Sequence, residues 1–126
     1  MTTEIELHDS ELLHVDVESG TLLIDAYVHR SGADIRREGG YQHALFQFEN
    51  LRIESENGEL LGDIYDWNIF AVGLTPNDLI PLPCEIASPV ELKITLADDG
   101  RKITFLGHKL TVHEAGPYRF VEFWRD

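Results

Sequence analysis

The sequence predicts an all-β protein: one antiparallel sandwich or flattened barrel of about eight strands, forming a single domain over residues 1–126. Three observations predict it. Apolar and polar residues alternate with period two along most of the chain, Gly-containing turn pairs interrupt that alternation, and no segment carries an apolar face long enough for a full helix. With 126 residues, 43% of them hydrophobic, the chain can hide roughly two thirds of its unfolded surface and needs neither disulfide nor metal to hold a core.

The alternation opens with Leu13, Val15 and Val17 against His14, Asp16 and Glu18. After Gly20, Leu22, Ile24, Ala26 and Val28 form an inward set, and Ala44, Phe46 and Phe48 form the next. Parity changes near Asn50, where Leu51 and Ile53 take over, so a bulge or a join between two strands is expected there. Asn57-Gly58 and Asp99-Gly100 are hairpin signals, because both residue types tolerate positive φ. The second pair joins Val90–Leu96 to Ile103–Phe105. Gly107 then permits a bend before Leu110 and Val112, and Glu114-Ala115-Gly116-Pro117 turns into a last strand from Tyr118 to Trp124, which together predict a C-terminal meander of four strands. Thr75-Pro76-Asn77-Asp78 has the pattern of a helix start, but Pro81 and Pro83 limit it to one short helical turn near 75–80.

Acidic residues outnumber basic ones by 23 to 10, a formal net charge of −13, which argues against general nucleic-acid binding. The imbalance is local: through Asp66 there are 15 Asp and Glu against Arg30, Arg36, Arg37 and Arg52, whereas from Trp67 onward there are 8 acidic and 6 basic residues. An acidic first half either keeps the protein soluble or steers a cationic partner toward it. No apolar run approaches membrane-spanning length, the first residues show no secretory pattern, and the single Cys84 cannot form an internal disulfide, so a cytoplasmic protein is expected.

His8-Asp9-Ser10 contains the residue types of a hydrolase triad, yet neighbouring side chains of an extended chain point to opposite faces, so the segment reads instead as polar groups shaping a turn between two short strands. His108 and His113 differ in parity, and His8 and His14 straddle that turn. Neither pair has a zinc spacing, and no metal or cofactor site is expected. The better pair is His29 and His43. If Val28 aligns with Ala44, the two histidines lie opposite each other on the outer face, beside a long loop over residues 31–40 that carries Asp34, Arg36 and Arg37. His29, Asp34, Arg36, Arg37 and His43 are therefore the candidate binding residues, with the arginines offering forked donors to a carboxylate or phosphate.

Tyr65, Trp67 and Phe70, and later Tyr118, Phe120, Phe123 and Trp124, read mainly as sheet-packing residues. The last strand is apolar on both parities, which implies either cover on both faces or a homodimer contact. Cys84, beside Glu85, reads as a small buried residue and not a nucleophile.

The opening His8-Asp9-Ser10-x-Leu12, followed by two alternating strands, resembles the start of small bacterial all-β proteins that begin with a similar H-D-S segment. The likeness covers about the first 30 residues and implies no particular reaction. In size and charge the chain is also similar to bacterial immunity proteins, which neutralise toxins by covering basic surfaces. Two functional expectations follow: a non-enzymatic acidic protein-interaction module for a basic partner, or a small-ligand-binding β-barrel or enzyme using the 29–43 region at a barrel mouth.

Overall fold

The computed structural model describes residues 1–55, 60–75 and 79–124, and within these the chain is all-β, with eleven strands and no helix. Three long strands come first: β1 (Thr2–Asp16), β2 (Thr21–Gly32) and β3 (Ile35–Glu49). Shorter ones follow: β4 (Arg52–Ser55), β5 (Gly62–Phe70), β6 (Ile80–Pro81), β7 (Cys84–Ile86), β8 (Val90–Leu96), β9 (Lys102–Gly107), β10 (Lys109–Glu114) and β11 (Arg119–Phe123). Nine of them lie on one antiparallel path, β4-β9-β8-β5-β1-β2-β3-β10-β7, curled into a half-barrel. β6 adds to β1, and β11 adds to β3.

Period two delivers the core. Leu22, Ile24, Ala26 and Val28 of β2 and Ala44, Phe46 and Phe48 of β3 face Ile64, Trp67 and Ile69 of β5, Leu92 and Ile94 of β8, and Ile103 and Phe105 of β9 in a single buried cluster. Among the described residues these side chains pack into one continuous buried cluster inside the half-barrel. The parity change at Asn50 is the join between β3 and β4, with Asn50 itself at φ 55°. The β8–β9 hairpin forms as expected, and Gly100 takes φ 70°. Asn57-Gly58 lies outside the described residues. So do positions 76–78 of the expected helical turn, and Ile80–Pro81 beyond them is strand.

Three expectations are corrected. First, Asp9-Ser10 is not a turn between short strands but a bulge inside the continuous β1, where the register with β2 jumps between Glu6 and Glu11. Asp9 sits at φ 70°, and the buried Ser10 hydroxyl donates to Glu6 O at 2.8 Å while accepting the Tyr27 N–H at 2.8 Å. The bulge thus satisfies its own backbone, and it throws both His8 and Asp9 to the outside.

Second, residues 31–40 are not a long loop. Gly32 pairs with Ile35, leaving only Ala33 and Asp34 as the turn, and Arg36 and Arg37 belong to β3. The shorter turn moves the register: Val28 pairs with Gly40 and Ile24 with Ala44, so His29 lies opposite Gly39 and His43 opposite Asp25. Both histidines keep the outer face, because a shift by an even number of residues preserves parity.

Third, the C-terminal four-strand meander does not form. Only β8 and β9 pair with each other, while β10 pairs with β3 and β7, and β11 pairs with β3. The chain changes sheets at Gly107-His108, where the His108 N–H donates to Glu49 O at 2.9 Å and Gly107 lies so close to Phe48 that a Cβ would not fit. A β3 strand of 15 residues has enough free edge to seat β10 and β11 one after the other, which two mutually paired short strands would leave exposed.

Candidate functional site

The paired registers of β1, β2 and β3 lay the outer face out in rows. Glu4, His29 and Gly39 form one row, Glu6, Tyr27 and Tyr41 the next, and Glu11, Asp25 and His43 the third. β5 extends the third row, because Asp63 pairs with Glu11. Asp63, Glu11 and Asp25 therefore stand side by side on three adjacent strands. Like charges at paired positions destabilise a sheet, so this row is not explained by stability.

The C-terminal segment supplies the counterweights. The Arg119 guanidinium pairs with the Asp25 carboxylate and lies 5.9 Å from the centre of the Tyr41 ring. His43 Nε2 is 3.7 Å from the same Asp25 carboxylate. The Tyr27 hydroxyl donates to Glu122 at 2.7 Å, and Trp124 stacks on His29 at 4.9 Å between ring centres. Gly39 makes this crossing possible: a side chain there would come under 3.0 Å from both the Tyr27 hydroxyl and the Trp124 indole nitrogen. His29 also faces Glu6, at 3.3 Å, while His29 Nδ1 and Trp124 Nε1 are buried without a hydrogen-bond partner among the described residues.

The potential over this face is negative. Burial, followed by the charges of Asp9, Asp25, Asp63 and Glu122, raises the Tyr41 phenol above its ordinary value. Burial and the Glu122 hydrogen bond push Tyr27 higher still. Tyr118, partly buried and bonded to Glu38, is pushed up to about 12 by desolvation and that hydrogen bond, with Arg30 over its ring at 4.2 Å opposing the rise. Tyr27 and Tyr118 already give their hydroxyl protons to Glu122 and Glu38.

Between the β1 bulge and the start of β5 the face is indented. A groove of about 350 Å³ is lined by His8, Asp9, Tyr41, Asp63, Ile64, Tyr65 and Ala97. His8 Nδ1 is hydrogen-bonded to Tyr65 O and its ring meets the Tyr65 ring edge-on at 6.0 Å, which holds one wall in place. Another groove, of about 400 Å³, lies by Asn50, Arg52 and His108 and has no aromatic wall.

The residues singled out from the sequence are spread along β2, its hairpin turn and β3, and His29 and Arg37 both meet Trp124. His29 is stacked under Trp124, His43 leans on Asp25, Asp34 occupies the hairpin turn, Arg36 lies over the Phe123 ring at 5.2 Å, and Arg37 O accepts the Trp124 N–H at 2.9 Å. Sequence reasoning missed Tyr41, Glu11, Asp63 and Tyr65. Their signal was outward parity next to well-phased inward residues, but only the cross-strand register says that they meet.

Of the two aromatic groups, Trp67 is buried, whereas Tyr65, Phe70, Phe120 and Phe123 are exposed. Every residue of β11 is exposed among the described residues, on both parities of the strand. Cys84 is half-buried, and burial raises its thiol, which suits an inert residue. Among the described residues no three His, Cys, Asp or Glu side chains are grouped to hold a metal ion, and no helix is long and apolar enough to cross a membrane. Comparisons with protein-family models, curated proteins and solved structures return no match.

Proposed function

We propose that this protein is a binding module that captures a basic protein surface on the outer face of β1, β2, β3 and β5. The observation that carries the reading is the row Asp63–Glu11–Asp25, in which Arg119 answers Asp25 while Glu11 and Asp63, paired with each other, have no ion-pair partner among the described residues and are relieved when a cationic partner neutralises them. The tyrosines beside the row suit an interface, since aromatic residues supply rigid contact area with a polar tip. An immunity-type role, in which the partner's basic surface is occluded, accords with the size and charge of the chain.

The test is the association rate with a panel of small basic proteins at low and high salt. Neutralising the face by Asp9→Asn, Glu11→Gln and Asp63→Asn together is expected to slow association about tenfold at low salt, with the difference shrinking as salt screens the field. Neutralising three carboxylates elsewhere, Glu54→Gln, Glu85→Gln and Glu91→Gln, should change it far less. Equal effects of the two triple variants would sink the reading.

A second reading concerns β11, where one observation favours self-association. Phe120, Val121 and Phe123 are each about half exposed, at 51%, 51% and 52%, on a strand paired only with β3 among the described residues. Arg36 and Arg37 stand alongside, which lowers the repulsion between two acidic copies at this edge. The expected result is a dimer by light scattering that Phe120→Ser with Phe123→Ser converts to a monomer; a monomeric parent protein would remove the idea.

A further inference from the structure

We propose that the groove between the β1 bulge and β5 receives an arginine side chain of the partner, the guanidinium lying between Tyr41 and Tyr65 and bonded by Asp9 and Asp63. The proposal rests on the binding-module reading above and names the chemistry of its anchor.

The groove has both halves of a guanidinium site. Two tyrosines line it, aromatic partners for a flat cation, and two carboxylates from different strands line it as acceptors for a fork of N–H groups. The bulge makes this arrangement, because a regular strand would turn either His8 or Asp9 inward, whereas both are exposed here. Among the described residues Asp63 has no ion-pair partner, and the one cationic neighbour of Asp9 is His8, at 3.6 Å and only when protonated. The carboxylates are thus open to an incoming charge.

The chain already uses this chemistry on the same ring. Arg119 approaches Tyr41 while paired with Asp25, next to the groove, and Arg30 lies over Tyr118, whose hydroxyl is bound to Glu38. Arginine with a tyrosine face and a carboxylate is therefore a recurring contact of this fold. The raised Tyr41 phenol agrees, since Asp9 and Asp63 are among the charges that raise it. A lysine could answer the charge but not the planar fork, so arginine is the preferred occupant. The 350 Å³ of space and the exposed Tyr65 leave the site accessible without any rearrangement of the core.

The experiment is an NMR titration of the intact protein with Nα-acetyl-arginine amide, and separately with Nα-acetyl-lysine amide. The arginine probe is expected to give saturable shifts centred on Ile64, Tyr65 and Ala97, with the lysine probe several-fold weaker. Tyr65→Ala retains every carboxylate and removes an exposed side chain, so the fold is kept; it should weaken the arginine probe roughly fivefold. Asp63→Asn should weaken it at least as much. Equal affinity for the two probes, shifts spread over all acidic residues, or no effect of Tyr65→Ala would overturn the arginine site. The two proposals fail separately: the arginine site can fail while the triple neutralisation still slows the basic proteins, and the face reading fails if that neutralisation has no specific effect, whatever the probes do.

Discussion

Gly40→Ala is expected to force β11 off the sheet. Gly40 is buried on the inner side of β3, and a Cβ built there would come under 3.0 Å from the Arg119 carbonyl and from two ring carbons of Tyr118. The first of these is backbone and cannot rotate away, so the strand itself must move. Its φ lies outside the left-handed region, so the penalty is one of space and not of conformation. Overpacking of this kind costs about 1–3 kcal/mol. It also has a local signature: Arg119 leaves Asp25, Glu122 leaves Tyr27, and Trp124 leaves its stack on His29. The Trp124 indole resonance should move to a solvent-exposed position while that of the buried Trp67 stays put. An unchanged Trp124 signal and unchanged stability would show that β11 accommodates the methyl.

Ser10→Ala is expected to destabilise the whole domain by about 1–3 kcal/mol, the range for stranding a buried polar group. The Ser10 side chain is the acceptor that satisfies the Tyr27 N–H where β1 bulges away from β2, and at 1% exposure no solvent replaces it. Denaturant unfolding should show a lower midpoint with an unchanged slope, because the folded core and its buried area are otherwise intact. A midpoint shift worth less than about 0.5 kcal/mol would mean that the bulge finds another acceptor. The effect also bears on function: the same bulge aims Asp9 outward, so a loosened bulge should weaken the proposed arginine site as well.

The H-D-S segment shows where reading residues in order stops. Its composition suggested polar groups bonding local backbone, and Ser10 does so, but the partner it serves is Tyr27, 17 residues away in β2. Whether a polar triplet makes a turn or a bulge depends on whether the neighbouring strand continues past it, and that information lies in β2. The 31–40 segment failed for the opposite reason. Its Gly, Asp and Arg content looked like loop, yet pairing with β2 and β11 holds Ile35–Gly40 extended, and the two glycines at 39 and 40 are there to let Trp124, Tyr27 and Tyr118 pass close by. Tertiary contact overrode local propensity. The meander failed because short strands can pair with any free edge, and β3 offered a longer one than they offered each other.

Read along the chain, residue order alone determined the all-β class, the inward faces of β2, β3, β8 and β9, the β8–β9 hairpin and the acidity of the first half. These follow from period-two burial, positive-φ turn residues and counting, all of which are local. The tertiary structure alone decided which acidic residues meet. Register sets Asp63, Glu11 and Asp25 in one row, the bulge adds Asp9, and the returning C-terminus brings Arg119, Glu122 and Trp124 over residues nearly a hundred positions earlier. A sheet turns charge in sequence into charge on a face through pairing that is long-range, so no run of neighbouring residues could have drawn that face.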